Sequence, residues 1–218
     1  LARASENKTV GFNVENNVLH NGPISDADVV PILGSILSGT ESNQRIGDRV
    51  KPKSLRVRGV IGLNPDYNNT NKPMIVTVML LACKDKKTNA LVAAGAGLAD
   101  LLKPNINGSG QVLWDGTTLR STYDVNTEKF RVHMAKQFRI APGSLAGGTR
   151  EFDFVKWRHT FKASKMPASL TWDEGTGDDC NNFAPFLVIG WCYTDGTAPD
   201  VVPRLVSQCS SEFTFEDA

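Results

Sequence analysis

The chain has 218 residues, 40% hydrophobic and 22% charged, with a formal net charge of +1. That length suits one well-buried domain, 1–218, and the composition is that of an ordinary soluble globular protein. No apolar run reaches eighteen residues, which excludes a transmembrane helix and gives no basis for membrane insertion. The N-terminal LARASENKTV has no hydrophobic signal core, and it begins with Leu, so we expect the remainder of a longer chain.

Val10, Phe12 and Val14 share one phase of a first strand. Ser25 to Asp28 has the form of an N-cap with an acid three residues on. Val29, Val30, Leu33, Ile36 and Leu37 follow at helical spacing, with Pro31 in the first turn. Residues 45–63 then read as one long strand. Residues 74–83, MIVTVMLLAC, predict a central strand covered on both faces. Asn89 to Lys103 predicts a second short helix stopped by Pro104. In 129–140, Phe130, Val132, Met134, Phe138 and Ile140 alternate with Lys129, Arg131, His133, Gln137 and Arg139. Segment 151–162 alternates less cleanly, and strands at 186–193 and 205–215 close the chain. Many strands, few helices and no βαβ rhythm indicate an antiparallel sandwich or barrel.

The charge is segregated. Residues 44–59, QRIGDRVKPKSLRVRG, carry +5 and leave −4 for the rest. Arg45, Arg49, Lys51 and Lys53 occupy odd positions. After Pro52 the odd positions become apolar (Leu55, Val57, Ile61, Leu63), and Arg56 and Arg58 are even. The change of phase predicts a bulge near Pro52–Lys53 after an edge-like first half. Bases on an edge strand can simply discourage aggregation. Arginine outnumbers lysine here, however, and its fork suits phosphate or carboxylate. Lys129, Arg131 and Arg139 extend the set to a second strand, giving a candidate nucleic-acid-binding surface.

Catalytic signatures are missing: no GxSxG, HExxH, Walker or HxE…PCxxC pattern occurs. His133 and His159 read as surface or interface residues, and Gly95 and Gly97 of AAGAGLAD as packing glycines. Asp173, Glu174, Asp178 and Asp179 could supply oxygen ligands to calcium but lack the EF-hand pattern, and they read as a solvated acidic loop. Cys83, Cys180, Cys192 and Cys209 are widely spaced and read as reduced structural residues. Trp114, Trp157, Trp172 and Trp191 could stack on bases but read more simply as core or interface residues. The sequons at Asn7, Asn68 and Asn107 are treated as chance matches. Neither a metal, a cofactor nor an enzymatic activity is expected.

RIGDRVKPKSLRVRGVI, MIVTVMLLACKD, FLVIGWCYTDG and SEFTFEDA, taken together, resemble the jelly-roll capsid proteins of small circular Rep-encoding single-stranded DNA viruses, circoviruses among them. The resemblance spans about Asn43 to Ala218. It implies an eight-stranded roll of two four-stranded sheets, with short helices in the loops. It further implies self-assembly into a T=1 icosahedral shell around a circular single-stranded DNA genome, in the virion and the host nucleus, with an unknown host receptor. Such proteins carry an arginine-rich N-terminal arm. Residues 1–20 contain only Arg3 and Lys8, so the arm is expected upstream of Leu1. Loops 64–73, 84–128 and 163–183 are the expected subunit contacts. Two other readings remain open: an extracellular carbohydrate-binding or adhesin β-sandwich, and the capsid of a small RNA virus. A cupin-type enzyme is disfavoured because no His/Glu metal set is seen.

Overall fold

A computed structural model describes residues 7–64, 72–103, 112–146, 149–152, 154–173, 179–199 and 202–217. Its strands are β1 (Asn7–His20), β2 (Val30–Pro31), β3 (Arg49–Leu63), β4 (Met74–Cys83), β5 (Phe130–Ile140), β6 (Pro142–Ala146), β7 (Thr149–Phe152), β8 (Phe154–Lys162), β9 (Leu170–Thr171), β10 (Pro185–Tyr193) and β11 (Leu205–Asp217). One sheet runs β1-β11-β3-β8, with β9 also paired to β3; the second runs β2-β10-β4-β5, and β6 and β7 form a separate pair. All of these pairings are antiparallel. With the short β6, β7 and β9 set aside, the order is 1-8-3-6 over 2-7-4-5, the double Greek key of a jelly roll. The expected four-stranded first sheet has a fifth member, β9, because the chain after β8 returns to cover Arg49 and Val50 of β3.

Alternation explains the core. Leu55, Val57 and Ile61 of β3 and Phe213 and Phe215 of β11 meet Val76, Val78 and Leu80 of β4 and Leu187, Ile189 and Trp191 of β10 between the sheets. The second sheet also buries its outer face. There Met79, Leu81, Phe186 and Val188 pack under Val92, Leu98, Leu101 and Trp114 of the long β4–β5 connection. Burial on both faces is why β4 and β10 read as continuous apolar runs. Among the described residues no such layer lies over the outer face of the first sheet, where β3 and β11 keep polar outward positions.

Both expected helices shrink. Ser25 does cap, its backbone N–H and hydroxyl donating to Asp28 Oδ2 at 2.7 and 2.9 Å, but only a single 3-10 turn, Asp26–Asp28, follows. Val30 and Pro31 instead pair with Leu187 and Phe186 at the edge of the second sheet, where a missing proline donor is tolerated. Ile32, Leu33 and Ile36 bury themselves in the core without helical geometry. The helix expected over 89–103 is a five-residue α1 (Asn89–Ala93), capped by the Thr88 side chain, and a 3-10 turn at Leu98–Asp100. Gly95 and Gly97, at φ +145° and +78°, break the run between them.

Two bulges set the facing of charged residues. In β3, Ser54 pairs with Thr214 and Pro52 with Phe215, which leaves Lys53 as the extra residue at the expected place. In β5, Leu80 pairs with Met134 and Leu81 with Val132, which leaves His133 extra. Phe130 therefore packs in the outer layer while Met134 and Ile140 face the core, so the unbroken alternation expected over 129–140 does not hold.

Behind β1, Glu15, His20 and Ser207 form a buried polar cluster. The Ser207 hydroxyl bonds Glu15 Oε2 and lies 2.7 Å from His20 Nε2. Burial raises the Glu15 carboxyl above its usual range and lowers His20 to about 4. All four cysteines are buried and free. All four tryptophans are buried too, which removes them as base-stacking platforms.

Candidate nucleic-acid interface

The bare outer face of the first sheet collects the charge. β3 is interior, with β11 along one edge and β8 and β9 along the other. The expected edge-like first half therefore narrows to residues 51–53, which pair with β11 alone, since β9 covers Arg49 and Val50; protection of an unpaired edge does not explain Arg49, Arg56 or Arg58. Before the bulge, Val50 and Pro52 are buried and Arg49 and Lys51 exposed; after it, Leu55 and Val57 are buried and Arg56 and Arg58 exposed. The single extra residue at Lys53 restores the phase, so Arg49, Lys51, Arg56 and Arg58 all project from one face. An unbulged strand would place Arg49 and Lys51 on the side of Leu55.

β8 adds three bases to this face. Lys162 lies across from Ser54, Arg158 from Arg58 and Lys156 from Val60, and all three are exposed. Sequence reasoning missed them. The signal was present: Lys156, Arg158, Thr160 and Lys162 alternate with Val155, Trp157, His159 and Phe161. β11 supplies the acids. Glu212 sits 3.3 Å from Arg56 Nη1 and 3.6 Å from Arg58 Nη2, and Glu216 pairs with Lys53. Among the described residues, Arg49, Lys51, Lys156, Arg158 and Lys162 have no acidic partner. Along a strand, same-face neighbours recur at about 7 Å and adjacent strands at about 5 Å, so the bases form a lattice rather than a point site.

A trough of about 760 Å³ crosses this face, walled by Arg58, Lys156, Arg158, Asn13, Asn16 and Gln208. Beneath it, on the core side, a Cβ at Gly59 would come within 2.7 Å of the Trp157 ring. Phe154, an exposed aromatic, lies beside it, with the Lys156 ammonium 5.6 Å from its ring centroid. The arrangement can neutralise phosphates and accept occasional stacking.

Four expected site residues lie elsewhere. Arg45 is buried, not on the strand but in the turn before it. Its Nε donates to Ile36 O at 3.2 Å, its Nη1 to Gly47 O and Asp48, and its guanidinium lies 5.2 Å over Trp172. Lys129 pairs with Asp100 near the outer layer of the second sheet. Arg139, opposite Ile75, and Arg131, opposite Ala82, belong to β5, and the His133 bulge turns them to opposite faces. None of the last three joins the lattice.

Among the described residues no group of three or more His, Cys, Asp or Glu could hold a metal. Asp173 accepts a bond from Asn181 and Asp179 one from Ser35. Glu174 and Asp178 lie outside the described residues, as do Asn68 and Asn107. No helix among the described residues is long and apolar enough to cross a membrane.

No protein-family profile matches the chain, and no curated protein matches it. Solved structures do. One is from Desmodium yellow mottle tymovirus, at 9% identity and a TM-score of 0.37, covering 100% of this chain and 84% of that one. Another is from the Macrobrachium rosenbergii nodavirus, at 11% identity and a TM-score of 0.39, covering 100% of this chain and 55% of that one.

Proposed function

We propose that the chain is a viral capsid subunit that self-assembles into a closed shell and holds a single-stranded genome against the outer face of its first sheet. The observation that carries this reading is the uncovered lattice of Arg49, Lys51, Arg56 and Arg58 with Lys156, Arg158 and Lys162. Jelly rolls serve as capsid, lectin and cupin domains. A cupin would need metal ligands, and the described residues cluster none. A lectin pocket needs directed hydrogen bonds to sugar hydroxyls, whereas this face offers mainly long cationic side chains.

In its full form the proposal is a T=1 shell enclosing circular single-stranded DNA and assembled in the host nucleus. Support for DNA comes from the sequence resemblance. The face itself addresses phosphates, and an RNA genome is the second reading because backbone neutralisation is common to both. Exposed Leu37, Ile46, Leu113 and Leu119 are apolar positions suited to subunit contacts.

Light scattering near neutral pH tests assembly. A particle of about sixty 23.7-kDa subunits, roughly 1.4 megadaltons, supports the proposal. A stable monomer that binds glycans and no nucleic acid overturns it.

A further inference from the structure

We propose that the seam between β5 and β8 is an oxyanion site, receiving a phosphate of the nucleic-acid strand that runs off the basic face. The capsid reading supplies the identity of that strand; the groove itself stands on its own geometry. It encloses about 670 Å³ and is lined by Arg131, His133, His159, Thr160, Lys162 and Lys165, among others, with no acid among the described residues of its lining. Thr160 and Lys162 are outward positions of β8, directly across from Arg56 and Ser54. The groove is therefore continuous with the lattice, around the edge of the sheet.

The two imidazoles are held in place. Phe161 is buried between them, its ring centroid 4.6 Å from that of His133 and 4.8 Å from that of His159. The bulge in β5 is what turns His133 toward this seam. Its Nε2 is shielded from solvent and has no hydrogen-bond partner among the described residues. Arg131 and Lys136 come from β5, His159 and Lys162 from β8 and Lys165 from the turn after it, while Phe183 closes the other side of His133.

Among the described residues, the charged groups that act on these two imidazoles are cations. Burial, Arg131, His159 and Lys165 together lower His133 to about 4, and burial with Lys136 lowers His159. A folded protein gathers repelling charge of this kind at little cost only if a counter-ion joins it. A phosphate in the groove accepts hydrogen bonds from Arg131, Lys165 and Thr160 and favours the imidazolium form of both histidines. Binding thus takes up protons, so affinity rises as pH falls from neutrality toward about 5.

The test is calorimetry of an oligothymidylate binding to the intact protein at pH 5.5, in buffers of different ionisation enthalpy. We expect uptake of a substantial fraction of a proton per bound strand segment, and affinity about tenfold tighter at pH 5 than at pH 7. Arg131→Gln with Lys165→Gln, and separately His133→Gln with His159→Gln, should abolish the uptake. Lys156→Gln with Arg158→Gln on the open face should weaken binding and leave the uptake intact. Binding without proton uptake overturns the site. Uptake elicited by dimethyl phosphate but not by the oligonucleotide overturns its assignment to the strand. Failure of the capsid reading registers separately, in particle mass.

Discussion

Arg58 of β3 and Arg158 of β8 lie directly opposite each other on adjacent antiparallel strands. Like charges in that relation disfavour the sheet. Glu212 relieves Arg58 from the other side, at 3.6 Å, but no described acid reaches Arg158. The proposed nucleic-acid interface accounts for such a pair, on a face that no layer of the described residues covers. Replacing Arg158 with Gln should raise the melting temperature slightly at low salt, by a free energy below about 1 kcal/mol. It should also reduce the slope of log affinity for single-stranded nucleic acid against log salt by about 0.7. Salt-dependent binding and a melt at two ionic strengths check both.

Arg45 should behave oppositely. Its guanidinium is spent on Ile36, Gly47, Asp48 and the Trp172 ring. Arg45→Met should cost about 2–4 kcal/mol in chemical denaturation, since buried carbonyls lose a charged donor. The salt slope of nucleic-acid binding by the folded fraction should not change. A reduced slope would return Arg45 to the interface.

Gly59 is required by the ring beneath it. A methyl group there would meet Trp157 within 2.7 Å, in the middle of a strand paired on both edges. Gly59→Ala should destabilise by about 1–3 kcal/mol and change tryptophan emission as Trp157 is displaced. Unchanged stability and emission would show that the ring has room to move.

Acid stability is set in part beneath β1. Burial lowers His20 from 6.5 to about 4, so the unfolded chain binds a proton there that the folded chain does not. Stability is lost as pH falls from about 6.5 to about 4, by on the order of 3 kcal/mol. Glu15, raised by burial, acts in the opposite sense: its contribution is full below its unfolded value of 4.5 and is lost as pH rises through its folded value. His20→Gln should flatten the acid limb of a stability-versus-pH curve. An equally steep limb would place the titration elsewhere.

Much of this was legible from local pattern. Val50 and Leu55 cannot both be buried on an unbroken strand, so the bulge at Lys53 followed from parity. The double burial of β4 followed from its apolar run. What was not legible depended on partners distant in sequence. Pro52 suggested an edge along the whole first half, because nothing local shows that Leu170–Thr171 returns to pair with Val50 and Arg49. Leu33 and Ile36 keep helical spacing yet are buried individually, since the space between two sheets satisfies apolar residues without a helix. Arg131 and Arg139 seemed to share a face, until one extra residue at His133 separated them. Lys156 to Lys162 were overlooked because His159, a polar residue in the inward phase, blurred the alternation.

Three of the four cysteines have a use in the laboratory that their burial creates. Cys83 sits on β4, Cys192 on β10 and Cys209 on β11, and burial raises their thiols, to about 11 for Cys83 and about 12 for Cys209. While closed, they are nearly inert to alkylation. Each reacts only when its own strand opens, so modification rates resolved by mass spectrometry become stopwatches built into both sheets. They report which layer loosens first, with no label introduced.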